Sequence, residues 1–181
     1  MNGEDCLKKA YEFILNSDFE GAILWFEQAI AADPSKAHYH YRASISCARS
    51  GKWAKAEQYA VQALQLDPEH GEYVYHLQTV KAKLLQGEAE LLLAKQPPML
   101  LEAIEMLKES TELDPLNLEA YYMLGVACFT IGQLDEAAAY AREAIRLDPG
   151  HTAARRLFAD VNRRRRASRY RKIRRQRRRN R

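Results

Sequence analysis

An Asp-Pro dipeptide closes four successive stretches of helix-forming sequence, at Asp33-Pro34, Asp67-Pro68, Asp114-Pro115 and Asp148-Pro149, at intervals of 34, 47 and 34 residues. Proline stops a helix because it lacks an N–H and its ring clashes with the preceding turn. At the start of the next helix that missing N–H costs nothing, so each proline is expected in the first turn of the helix that follows. A 34-residue interval holds two short helices and their connections, the period of a helix-turn-helix repeat. One such hairpin cannot bury its own apolar face, so the repetition itself dictates a stacked array.

Between these marks the same residue types return at the same offsets. Residues 117–149 carry Leu124-Gly125, Gly132, Ala137, Tyr140, Ala144 and Pro149. Residues 37–68 carry Gly51-Lys52-Trp53, Ala56, Tyr59, Ala63 and Pro68, and residues 3–34 carry Phe19, Ala22, Phe26, Ala29 and Pro34. A further copy shows itself in its second helix, through Ala103, Leu107, Leu113 and Pro115, after the turn Gln96-Pro97-Pro98. Ala56 and Ala137 fall where two helices of a hairpin approach closely, and Gly51 and Gly132 supply the positive φ that ends a first helix.

On these residues the chain resembles the tetratricopeptide repeat (TPR) proteins over about residues 3–162. The resemblance implies an all-α solenoid of four helix-turn-helix repeats, at about 3–34, 37–68, 69–115 and 117–149. A capping helix from His151 to about Asn162 should follow, with Ala154, Leu157, Phe158 and Val161 covering the last repeat. The 47-residue interval exceeds the period by 13 residues, and residues 69–95 contain no proline, so one elongated helix is expected there. Over 27 residues it would measure ~40 Å, and 13 extra residues at 100° each turn its far end by about 220°. Its near half, with Val74, Leu77 and Val80, is then expected to cap the first two repeats, and its far half, with Leu84, Leu85, Leu91 and Leu92, to pair with residues 99–113. Two repeat pairs with offset grooves would result, unless Gly87 breaks the helix at a cost of ~1 kcal/mol relative to alanine.

The net charge of +4 conceals a division. Residues 1–154 hold 13 Lys and Arg against 23 Asp and Glu, whereas residues 155–181 hold 15 against the single Asp160. The polybasic tail, 163–181, is expected to be disordered or an extension of the capping helix, since blocks of like charge repel. Its candidate polyanion-binding residues are Arg163, Arg164, Arg165, Arg166, Arg169, Arg171, Lys172, Arg174, Arg175, Arg177, Arg178, Arg179 and Arg181. Arginine pairs bidentately with phosphate and stacks on bases, which makes RNA or the ribosome the first expected partner and an anionic membrane surface another.

The resemblance also implies a binding groove lined by the first helices. Mapped onto this chain, the groove-facing residues are Leu7, Tyr11 and Ile14, then Tyr41, Ile45 and Arg49, then Tyr75, and then Tyr122, Val126 and Phe129. Such a lining favours an apolar or amphipathic peptide from a partner protein. Family members that grip a terminal carboxylate do so with Lys, Asn and Arg, where this chain has Leu7, Tyr11, Arg42, Glu72 and His76.

No catalytic site is expected. His38 and His40 stand two residues apart, the wrong spacing for one helical face, and His70, His76 and His151 read as surface or capping residues. Cys6, Cys47 and Cys128 form no Cys-x-x-Cys pair and occupy inward positions of first helices, in keeping with a reducing cytosol, no metal and no cofactor. No stretch has the length or apolar character of a membrane span or a signal peptide, so a cytoplasmic location is expected. The reading is therefore a non-enzymatic, chaperone-like adaptor. The alternatives are a nucleic-acid-binding protein whose array is a homodimerisation platform, and a secretion-type chaperone.

Overall fold

The computed structural model describes the backbone of residues 2–179 and the side chains of residues 2–171. Among the described residues there are nine α-helices and no strand. They are α1 (Gly3–Leu15), α2 (Phe19–Ala32), α3 (Ala37–Arg49), α4 (Trp53–Leu66), α5 (Gly71–Ala94), α6 (Leu100–Leu113), α7 (Leu118–Ile131), α8 (Leu134–Leu147) and α9 (Thr152–Arg179).

The Asp-Pro pairs act through turn chemistry. Asp33, Asp67, Asp114 and Asp148 are the C-caps of α2, α4, α6 and α8. At three of them the carboxylate then accepts from the N–H two residues on, from Ser35 at 3.2 Å, Leu116 at 3.0 Å and Gly150 at 2.7 Å. These Asx turns occupy the residues after each aspartate. Each proline consequently lies inside the turn, three residues ahead of the next helix, rather than in that helix's first turn as its spacing suggests. Entry into α7 and α9 is secured by side chains, the Asn117 amide oxygen accepting from Ala120 N at 3.3 Å and His151 Nδ1 from Ala154 N at 3.1 Å.

Within the hairpins, Gly51 and Gly132 end the first helix in the left-handed region, at φ 72° and 84°. Ser17 serves at the equivalent place after α1, at φ 59°. Gly125 lets α7 pack closely under Leu157 of α9 and beside the backbone of α8. A Cβ there would stand 2.9 Å from Leu157 Cδ2 and 3.4 Å from the Ala141 backbone nitrogen.

The chain divides into two compact units, Met1–Leu84 and Leu85–Arg181. The first is built on small residues with a few large ones among them: Ala10, Ala22, Phe26 and Ala43 form one cluster, Ile23, Cys47, Ala56 and Val80 another, and Cys6, Ala29 and Tyr39 a third. Tyr39 OH donates to Glu4 at 2.9 Å, and burial together with that bond pushes its pKa up to about 12. In the second unit Ala89, Ile104, Leu107, Leu124, Cys128, Ala141, Leu157 and Val161 share one core.

Helix α5 runs unbroken through Gly87 for 24 residues, ~36 Å. Its N-terminal part belongs to the first unit and its C-terminal part to the second. Leu77 and Val80 are buried, as expected, but Val74 is exposed, because it lies about 90° round the helix from the direction shared by residues 77, 80 and 84. Leu84, expected to pair with residues 99–113, packs with Cys47, Ala56 and Val80 of the first unit. Leu92 joins the second core, whereas Leu91, on the opposite side from Ala89, Leu92 and Leu93, is 69% exposed. Helix α9 continues well past Asn162 to Arg179, so the basic stretch extends the capping helix through the described residues.

Candidate peptide groove and basic helix

In the first unit, α1 and α3 lie against α2 and leave a pocket of about 190 Å³ between them. It is lined by Tyr11, Ile14, Ile45 and Arg49, all expected for the groove, and by Phe19, Arg42 and Ser46. Tyr11 is 37% exposed, and its ring meets Phe26 edge-on at 6.0 Å. Leu7 is not in this lining and packs against the core clusters of α1 and α2. Phe19 belongs to the first turn of α2 and was not visible as a groove residue in sequence; the Arg49 guanidinium sits 5.3 Å above its ring.

Beside this pocket lies an aromatic and polar cluster. Tyr41 is half-buried, 4.6 Å from the Tyr73 ring and 5.4 Å edge-on to His76, with Arg42 above its face at 5.6 Å. Ser44 Oγ is 2.7 Å from the Ala56 carbonyl and 2.8 Å from His76 Nε2. The hydroxyl has one proton and gives it to the carbonyl, so His76 Nε2–H must donate to Ser44, which fixes Nε2 as a protonated ring nitrogen. Burial pushes the His76 pKa down, which favours the neutral ring with its proton on Nε2. His76 is therefore a half-buried link between α3 and α5 rather than the surface or capping residue suggested by sequence. Tyr75, one residue earlier on α5, is 54% exposed.

In the second unit Tyr122, Val126 and Phe129 lie along α7. Tyr122 is half-buried with its ring 5.2 Å from His151, and Val126 is exposed. Phe129 lies under Arg164, whose guanidinium is 5.2 Å from the ring and whose Nη1 donates to the Phe129 carbonyl at 3.4 Å.

Other basic residues of α9 are also engaged. Arg163 pairs with Asp160, and Arg165 with Asp135 at 2.7 Å. Arg165, Arg166 and Arg169 line a small recess of about 150 Å³ with Asn162. Arg166, Arg169 and Arg171 are exposed. The side chains of Lys172, Arg174, Arg175, Arg177, Arg178, Arg179 and Arg181 lie outside the described residues. Among the described residues no helix is long and apolar enough to cross a membrane.

Two segments of the chain match family models described as tetratricopeptide repeat, residues 37–70 and residues 100–152. No curated protein matches it in sequence. Among solved structures it is similar to MamA 41-end from Desulfovibrio magneticus RS-1, at 20% identity and a TM-score of 0.54, over 90% of this chain and 85% of that one. It is similar also to MamA of AMB-1, at 18% identity and a TM-score of 0.52, over 88% of this chain and 80% of that one. At such identities the likeness is one of fold. Together with the 34-residue period and the hairpins closed by Asp-Pro turns, the two family matches make this chain a tetratricopeptide repeat protein, a scaffold for protein–protein interaction.

Proposed function

We propose that this scaffold is non-enzymatic, receives an apolar or amphipathic segment of a partner protein on its first-helix faces, and is tethered by the arginine-rich part of α9 to RNA, the ribosome or another polyanion. The first half of this reading rests on the pocket of about 190 Å³ between α1 and α3, where Tyr11, Ile14, Phe19 and Ile45 leave apolar surface facing outward. Aromatic side chains with a polar tip suit such a role, since the ring supplies contact area and the hydroxyl a hydrogen bond to peptide backbone. The second half is supported by Arg166, Arg169 and Arg171, which are exposed on one helix with no ion pair among the described residues.

The test is affinity capture from a cytosolic lysate with the full chain and with a Tyr11→Ala/Tyr75→Ala variant, each with and without nuclease. Proteins that survive nuclease on the wild type and vanish on the variant are the expected result. Capture that disappears entirely with nuclease refutes the groove half, and the chain is then a polyanion binder whose array is a dimerisation platform. For the tail, RNA affinity should fall with salt by a log–log slope of ~0.7 per phosphate neutralised on a single strand. It should fall also in an Arg166→Gln/Arg169→Gln/Arg171→Gln variant. Affinity indifferent to salt and to that variant refutes the tether.

A further inference from the structure

The acidic array pairs several of its few cations internally. Lys52 meets Glu20, Lys55 meets Glu27, Lys108 meets Glu105 and Arg146 meets Glu143. Arg42 and Arg49 are different. Both are exposed, neither has a carboxylate within 4 Å among the described residues, and each lies over an aromatic ring instead. With Ile45 and Ser46 they occupy positions i, i+3, i+4 and i+7 of α3, one face of the helix, so the two guanidinium-bearing residues stand ~10 Å apart along its axis. All four line the pocket between α1 and α3.

A second observation in the same lining points to a ligand. Ser46 is 1% exposed, and its hydroxyl has no hydrogen-bond partner among the described residues. A buried polar group without a partner is costly, and most have one. This one lies between two unpaired cations in a pocket whose remaining walls are Tyr11, Ile14, Phe19 and Ile45.

We infer that the pocket takes an apolar side chain from an extended segment of a partner protein, with a carboxylate on either side of it meeting Arg42 and Arg49. At ~3.4 Å per extended residue and with side chains alternating between faces, acids about four positions apart share a face with the apolar residue midway between them and bracket the ~10 Å between the two arginines. A polyphosphate or an anionic lipid surface fits less well, because residues 1–154 carry 23 acidic against 13 basic side chains and repel an extended anion, whereas two carboxylates on a short segment touch only the two cations. The inference rests on the proposed groove and adds to it the sign, the spacing and the anchor.

The experiment is selection of a displayed library of random twelve-residue peptides on the full chain, with counter-selection on the full-length Arg42→Gln/Arg49→Gln variant. Both proteins carry the arginines of α9, so peptides held by those are removed. Arg42 and Arg49 are exposed, and an unchanged circular dichroism melt of the variant establishes that it folds. The expected peptides carry an apolar residue between two Asp or Glu residues. A synthetic representative should lose about tenfold in affinity on the double variant and when its acids become amides. It should also weaken on Ser46→Ala and on Tyr11→Ala. Apolar peptides that need Tyr11 yet bind wild type and the double variant equally overturn this inference and leave the groove reading standing. An unenriched library, or peptides indifferent to Tyr11→Ala, overturns both. Binding of RNA or phosphatidylserine vesicles that drops on the double variant, with no acidic peptide selected, overturns it in favour of a polyanion or lipid site.

Discussion

Gly125 offers a quantitative test of how the last hairpin is spaced. Replacing it with alanine adds one methyl group whose carbon would stand 2.9 Å from Leu157 Cδ2, 3.4 Å from the Ala141 nitrogen and 3.5 Å from the Ala137 carbonyl oxygen. The first contact is a clash with the flexible end of a side chain that is 9% exposed; the other two are tight or ordinary contacts with the backbone of α8. Alanine gains ~1 kcal/mol over glycine inside a helix, while overpacking costs roughly 1–3 kcal/mol. Gly125→Ala alone should therefore change stability by between about zero and 2 kcal/mol of loss. Leu157→Ala alone should cost about 2–3 kcal/mol, towards the lower end for a side chain at the edge of the core. In that background the clash is gone, the new methyl fills part of the space left by leucine, and Gly125→Ala should stabilise by ~1 kcal/mol. The double-mutant cycle thus predicts a favourable coupling of about 1–3 kcal/mol. Urea unfolding of the four proteins, followed by far-ultraviolet circular dichroism, measures it. Equal costs of Gly125→Ala in both backgrounds would refute the reasoning and make the α8 backbone, not Leu157, the limit on helix approach.

Three further outcomes follow from local features. Gly87→Ala should stabilise by ~1 kcal/mol, since a Cβ there meets nothing within 4 Å, whereas Gly132→Ala, at φ 84°, should cost roughly 1–2 kcal/mol; the opposite ordering in urea melts would contradict the assigned backbone. His76 is held neutral in the fold by burial, with its pKa below the ordinary 6.5, so the unfolded chain takes up its proton first as the pH falls. Stability should decline from about pH 6.5 downward, less steeply in His76→Gln, and identical slopes would dismiss the half-buried histidine as a cause. Burial raises the Cys47 thiol pKa to about 11, so iodoacetamide should label it at pH 8 only in denaturant, as peptide mass mapping will show; rapid labelling in native buffer would count against its placement.

What could be read from sequence was what depends on neighbours along the chain. The Asp-Pro turns announce themselves because the aspartate reaches an N–H two residues away, and the hairpin alanines and glycines because each repeat imposes the same close approach. The length of α5 was legible for the same reason, in the absence of proline between residues 69 and 95. Several contacts of the first-helix residues, taken unit by unit, are not local. Ser44 and His76 meet across 32 residues and Arg164 and Phe129 across 35, and neither pair shares a spacing that sequence periodicity reports. Phe19 enters the pocket because α2 starts beside the end of α1, a fact of hairpin geometry rather than of pattern. Val74 and Leu91 were misjudged because an apolar residue on a helix 24 residues long faces the core only where its angular position matches that of its buried neighbours.

Helix α9 carries the packing of Leu157 and Val161 and the arginines beyond Asn162 on one uninterrupted ladder of hydrogen bonds. Helix propagation is cooperative, so a ligand that holds the distal turns in place also favours the proximal turns that seal the last repeat. Thermodynamic linkage makes the converse equal in size: a well-seated last repeat offers the ligand a helix already formed. Occupancy at one end is thereby readable as a melting temperature at the other, with no contact between ligand and repeat.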